Sequence, residues 1–239
     1  MENIGQIRKI SIWIFIIPVV TLNLCLFVSV NYLLFENTIF QVSEIGRTGF
    51  TIPYIDGAVS ISRTARTYPT YLIFKPAMII TAIILIKYWI TNNKVIGIVN
   101  NETNKSHYFM IFGVGSALFL IAHSIFLGIK FDYDLYKFFR RFVILGFVIF
   151  EIIAQALLVI SIFKMKEKIE EFINKKILIL KIILVSILTI TALVSLPFLV
   201  SSGHTHFKHA LEWNYFIGVI LFYFLSFLFW KKPKIQSLS

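Results

Sequence analysis

The sequence predicts an all-α integral membrane protein, a polytopic bundle of six transmembrane helices with both termini cytoplasmic. Of its 239 residues, 58% are hydrophobic and only 15% charged, whereas a soluble domain is nearer half apolar and a quarter charged. Mean hydropathy is +0.82. The apolar residues fall into continuous runs rather than alternating, so the spanning form is the helix and not the barrel strand. This composition excludes a disordered chain, a collagen-like chain and an ordinary cytosolic enzyme. A net charge of +11 does not argue for nucleic acid, because most lysines flank apolar runs, as orientation in a membrane requires.

Crossing the hydrocarbon core takes about 20 mainly apolar residues. The first run, Ile10 to Leu33, follows Arg8 and Lys9 as a signal peptide would. It is longer than a signal sequence, however, and no small-residue cleavage site precedes Phe35-Glu36-Asn37, so it reads as a retained helix. The longest connection, 34–70, comes next. Five more runs follow: Tyr71 to Ile90, Tyr108 to Leu127, Phe142 to Phe163, Ile177 to Val200 and Trp213 to Trp230. No connection is long enough for a second domain, so residues 1–239 read as one unit. With six spans, one side receives 14 of the 23 lysines and arginines, Lys181 among them. That bias makes it the cytoplasmic side. The sequons Asn101-Glu102-Thr103 and Asn104-Lys105-Ser106 share that side. Trp13, Trp89, Trp213 and Trp230 fall near run ends, where an aromatic belt would place them. Lys164 to Lys176 (KMKEKIEEFINKK) reads as a solvated loop or helix extension, with a headgroup site as the alternative. The lone Cys25 cannot close an internal disulfide.

Ionisable groups inside membrane helices are costly, at least ~2.5 kcal/mol at the centre, and so are functional candidates. Glu151 lies near the middle of the fourth run. Gln155 stands one turn further along the same face. A carboxyl at that depth is expected neutral and able to donate a hydrogen bond. The alternative is an interhelical bond with no chemistry. His123, in the outer half of the third run, admits the same two readings. In that run, Gly113 and Ala117 are spaced for close helix packing. Before the last run, His204, His206 and His209 precede Glu212, a set that could ligate zinc as a cofactor. Lys208 sits among them and the spacing matches no zinc signature, so a pH-sensitive loop is the alternative. Glu212 itself is expected in the first turn of the last helix, facing the positive end of its dipole.

The outer loop carries Pro53, Gly57 and Pro69, which favour turns. It also carries Asp56, Ser60, Ser62, Arg63 and Arg66. Guanidinium forks match phosphate oxygens, so these residues are candidates for an anionic headgroup; the alternative is a loop that satisfies its own backbone. Membrane lipids are the expected partners, and no phosphate loop, nucleophile elbow or HExxH helix is present.

Three stretches carry a family resemblance. They are Pro53-Tyr54-Ile55-Asp56 with Ser60-Ile61-Ser62 ending at Pro69, then Phe150-Glu151 with Ala154, and lastly Ala210-Leu211-Glu212-Trp213. Together with the six runs they resemble the Frag/DRAM/Sfk group, which includes GPI-lipid remodelling factors and autophagy modulators. The resemblance implies a six-helix membrane fold acting on or regulating lipids. The topology puts the outer loop, His123, the histidines and Glu212 in the outer half, which points to a pocket opening to the exoplasmic or luminal side. Glu151, His123 and Glu212 would line that pocket as catalytic candidates, with Asp56, Ser60, Ser62, Arg63, Arg66 and Gln155 holding substrate. Three rivals stand beside it: a non-enzymatic regulator or scaffold, a proton-coupled transporter using Glu151, and a metal-dependent hydrolase. The hydrolase would pair His123 with the histidine cluster and with Asp132 or Asp134.

Overall fold

A computed structural model describes residues 2–101, 106–129, 134–200 and 203–231. The sequon residues 102–105, with Lys130, Asp132, Lys232 and Lys234, as well as the Asp134 side chain, lie outside the described residues. Seven helices form: α1 (Glu2–Val30), α2 (Ile61–Arg66), α3 (Thr70–Asn100), α4 (Tyr108–Phe126), α5 (Asp134–Lys164), α6 (Lys175–Val200) and α7 (Thr205–Phe229). All but α2 are long and apolar enough to cross a membrane. The chain is thus a multi-pass membrane protein, and an even number of spans returns both ends to one face.

The helices outrun the apolar stretches that announce them. At about 1.5 Å per residue, the 31 residues of α3 or α5 exceed a core ~30 Å thick, whereas the 19 of α4 barely span it. In chain order α1, α3, α4, α5, α6 and α7 each pack on the next, and α7 returns to α1, closing a ring. The tightest join is between α4 and α5, and it is reciprocal. A Cβ on Gly115 would stand 2.7 Å from the Phe150 ring, and one on Gly146 would stand 2.9 Å from Phe119. Each helix thus offers a glycine notch to the other's phenylalanine, in the small-residue mode of membrane helices. Gly113 presses flat on Trp89, where a Cβ would meet the indole at 2.2 Å, and Ala117 is fully buried.

Trp89, Trp213 and Trp230 are core residues, not belt residues, and only Trp13 is exposed. Trp89 and Trp213 lie inside helices that extend past the apolar runs, and Trp230, at the end of α7, is covered by the α5–α6 connection and Arg8. The Lys164 to Lys176 stretch is a connection with its charged side chains largely exposed, as expected, but it is anchored. Met165, Ile169 and Ile173 recur every four residues and are buried. They draw the segment against the end of α7, where Asn174 N–H donates to Phe229 O at 2.9 Å and Lys231 N–H to Phe172 O at 2.9 Å. Arg8 closes the same face by donating to Trp230 O.

Candidate functional site

Two polar constellations stand out, one inside the ring and one over its other end. Inside, Glu151 is 1% exposed. Its Oε2 bonds the Ser116 hydroxyl of α4 at 2.6 Å. Its Oε1 accepts from Gln155 Nε2 at 2.9 Å and from the Tyr223 hydroxyl of α7. Gln155 Nε2 also donates to Val219 O at 3.2 Å, and its Oε1 has no partner among the described residues. The face shared by Glu151 and Gln155 therefore ties α4, α5 and α7 together.

Against α7, one turn further along, lies a group the sequence reading misplaced. Lys181 is not an exposed flanking lysine. It lies inside α6 and is 1% exposed. Its Nζ donates to Ser226 Oγ at 2.9 Å and stands 4.0 Å over Phe222 and 5.2 Å over Phe229. Ser226 in turn lies 3.0 Å from the Tyr88 hydroxyl of α3, and the Tyr88 ring packs edge-on against Tyr223 at 5.0 Å. Lys181, Tyr88, Tyr223, Ser116 and Ser226 were all missed. The available signal was Lys181 itself, a charge after four apolar residues in Ile177-Leu178-Ile179-Leu180.

Over one end of the ring, the connection 31–69 is clamped by the start of α7. The histidine segment is helical rather than a loop, and Glu212 sits two turns into α7, not in its first turn. His206 Nδ1 faces Asp56 O at 3.2 Å, and His209 Nδ1 faces Gly57 O at 3.0 Å. Since a carbonyl can only accept, both rings place a proton on Nδ1 when these bonds form. Trp213 Nε1 donates to Val59 O at 2.9 Å and Asn214 Nδ2 to Tyr54 O at 2.7 Å. The Glu212 carboxylate lies within hydrogen-bonding reach of the Ser62 and Ile61 N–H groups, at the start of α2. Ser60 caps that helix by accepting from Arg63 N–H at 3.1 Å. Gly57, with φ +58°, is required at the centre of this contact, because a Cβ there would stand 1.8 Å from His206 O.

Asp56 organises its own turn. Its carboxylate accepts from the Thr51 hydroxyl at 2.6 Å, Ile52 N–H at 2.8 Å and Ala58 N–H at 2.9 Å. Those bonds, that from Thr51 foremost, hold it below the usual carboxylate range. His204, the remaining member of the cluster, turns its ring to Phe198. Among the described residues no group of three or more His, Cys, Asp or Glu side chains could hold a metal ion. The donor set at the histidines therefore does not fit zinc, and no step is derived through it.

The three catalytic candidates do not converge. Glu151 is bonded in the core and Glu212 caps α2. His123 is half-buried on α4, with the charge of Arg140 as its electrostatic neighbour. No hydrogen bond or ion pair joins any two of them among the described residues. Arg63 donates through Nε to Ile45 O at 2.6 Å. Arg66, beside it, lies below the usual arginine range through burial and then through the nearby charges of Arg140 and Arg63. In comparison with known proteins, no family model, curated protein or solved structure matches the chain.

Proposed function

We propose that this multi-pass protein binds or regulates membrane lipids at the outer leaflet, where its clamped loop lies in the lipid–water interface. One observation carries the reading. The loop is rigidly held, yet it turns Ile39, Phe50 and Ile55 outward at 81%, 86% and 80% exposure. Apolar side chains displayed this fully, outside any spanning helix, suit an interface that removes them from water. The resemblance to lipid-remodelling and autophagy-modulating membrane proteins supports the same reading.

A regulator or scaffold is favoured over a lipid-modifying enzyme by the state of Glu151. Its oxygens already have three partners, and its bonds hold helices rather than face a substrate. The test is quantitative lipid profiling of host membranes lacking the protein and then complemented with wild type or Glu151→Gln. A profile altered by deletion and restored by both forms is the expected result. Restoration by wild type alone would place Glu151 in a reaction, and a profile indifferent to deletion would end the lipid reading.

A further inference from the structure

We infer that the seam between α1 and α7, where Asn23 and Asn214 flank Tyr54, binds the hydroxyl of an uncharged lipid alcohol of the diacylglycerol kind. The inference rests on the lipid reading above and names the class of lipid. Two asparagines inside apolar runs begin it. Asn23 on α1 and Asn214 on α7 are both exposed, on helices long and apolar enough to span. Asn23 is seven residues from Val30, where α1 ends, and Asn214 is nine from Thr205, where α7 starts. At ~1.5 Å per residue both lie about 10–13 Å in from the end that carries the 31–69 connection. Both also meet the same residue of that connection. Asn214 Nδ2 donates to Tyr54 O at 2.7 Å and to Ala210 O at 2.9 Å. Asn23 Nδ2 donates to Val19 O at 2.8 Å, and its side chain is hydrogen-bonded to the Tyr54 hydroxyl. The Tyr54 ring packs edge-on against Trp213 at 5.1 Å, and Trp213 is itself tied to Val59 O. Tyr54 is thus fixed over the seam from both helices.

The hydrogen count defines what the seam can take. Both hydrogens on each asparagine nitrogen are engaged, which leaves the two amide oxygens without a partner among the described residues. With Asn23 donating to the phenol oxygen, the Tyr54 hydroxyl keeps its own hydrogen to give. Two acceptors and one donor therefore face a medium whose tails can satisfy none of them. A hydroxyl both gives and takes a hydrogen bond, so it matches the set. The ligand should carry no charge. Neither α1 after Lys9 nor α7 after Glu212 has a charged side chain, and the Asp56 carboxylate is engaged by its own turn. An ionised headgroup would find no counter-charge at this depth, whereas an alcohol without phosphate can sink to it. Apolar walls continue the asparagine faces toward the membrane centre. Val20 and Ile16, three and seven residues before Asn23, are exposed on α1, and Leu221 stands seven after Asn214 on α7. Further in, Phe15 packs on Phe224 at 5.1 Å and closes the seam. Acyl chains would lie over Ile16, Val20 and Leu221 with the hydroxyl at the asparagines.

The test uses the purified full chain in detergent, with bound lipid counted by native mass spectrometry. The probes are dioleoylglycerol, dioleoyl-phosphatidylcholine, whose headgroup has no donor, and dioleoyl-phosphatidylethanolamine, whose donor is charged. Wild type should hold dioleoylglycerol over phosphatidylcholine by about tenfold, from two net hydrogen bonds. Asn23→Leu/Asn214→Leu should abolish that preference. Tyr54→Phe keeps the ring on Trp213 and the backbone bond to Asn214, and should weaken binding by about threefold or more. Ser186→Ala, at an exposed polar residue of α6, should change nothing. No preference in wild type, or the same preference in both seam variants, overturns the site. So does a Tyr54→Phe protein that binds as wild type while the asparagine variant loses lipid only alongside a lowered Tm, the mark of a structural clamp. Phosphatidylethanolamine held as tightly as dioleoylglycerol overturns the uncharged class. Binding is read on purified protein and the lipid profile in host membranes, so this inference and the broader reading can fail separately.

Discussion

Replacing Glu151 in two ways tests whether the buried network is closed by a proton. Ser116 has one hydroxyl hydrogen, yet its Oγ lies 2.8 Å from Gly113 O and 2.6 Å from Glu151 Oε2. One hydrogen cannot serve both acceptors. The count closes if the carboxyl carries its own proton on Oε2. Glu151 then donates to Ser116, Ser116 donates to Gly113 O, and Oε1 accepts from Gln155 and Tyr223. In Glu151→Gln the amide nitrogen takes over the Oε2 position, keeps all these bonds and leaves one N–H over. That leftover N–H is one stranded buried donor, so the change should cost about 1–2 kcal/mol, less than a variant that strands two. Glu151→Leu removes the acceptor for the Tyr223 hydroxyl and for one Gln155 N–H. A stranded buried donor costs about 1–3 kcal/mol, while interhelical bonds in membranes average only ~0.6 kcal/mol. A loss of about 2–4 kcal/mol follows for the pair. Unfolding in mixed micelles, followed by tryptophan fluorescence, measures both variants. If Gln is as damaging as Leu, the carboxylate is ionised and the hydrogen count is wrong. If Leu is neutral, the network does not hold the helices.

Gly57→Ala should detach the outer loop from α7, since the Cβ would stand 1.8 Å from His206 O at a positive φ; protease cleavage within 50–60 should accelerate while the spanning helices stay protected. Asp56 gives the loop a pH dependence whose sign follows from its depressed carboxyl. Its contribution is complete above the usual carboxylate range and is lost as pH falls through the lower, folded value. Loop cleavage should therefore rise only at acid pH, and in Asp56→Asn it should already be raised at neutral pH. Lys181→Met should leave stability within about 1 kcal/mol, because it removes a buried charge together with its desolvation cost. Ser226→Ala strands that ammonium on two aromatic rings and should cost about 1–3 kcal/mol, measured by the same micelle unfolding.

The six spans were legible because hydropathy reports what lipid and core both demand. Side-chain direction was legible only where spacing reports it, as for Glu151 and Gln155 one turn apart or Gly113 and Ala117. Helix ends were not. The start of α7 carries His206, Lys208, His209 and Glu212, residues that read as a loop because hydropathy does not register bonds to loop carbonyls. Lys181 was misplaced for a related reason. A lysine six residues into a helix reads as a snorkelling flank until packing shows Phe222 and Phe229 against it.

The partners of α7 explain why polar residues are spread along its whole length. Its first turns hold the outer loop through His206, His209, Trp213 and Asn214. Its middle supplies Val219 O and the Tyr223 hydroxyl to the Glu151 network, and Ser226 bonds Lys181. Its last residues anchor Asn174, and Trp230 just beyond it receives Arg8. A rotation of one residue would turn every one of these groups by about 100°. The same rotation would drive Leu188 off Gly218, where a Cβ would stand 2.7 Å from it. The 31–69 connection is therefore registered to the buried network through α7, and a ligand that displaces α7 as a whole would move both.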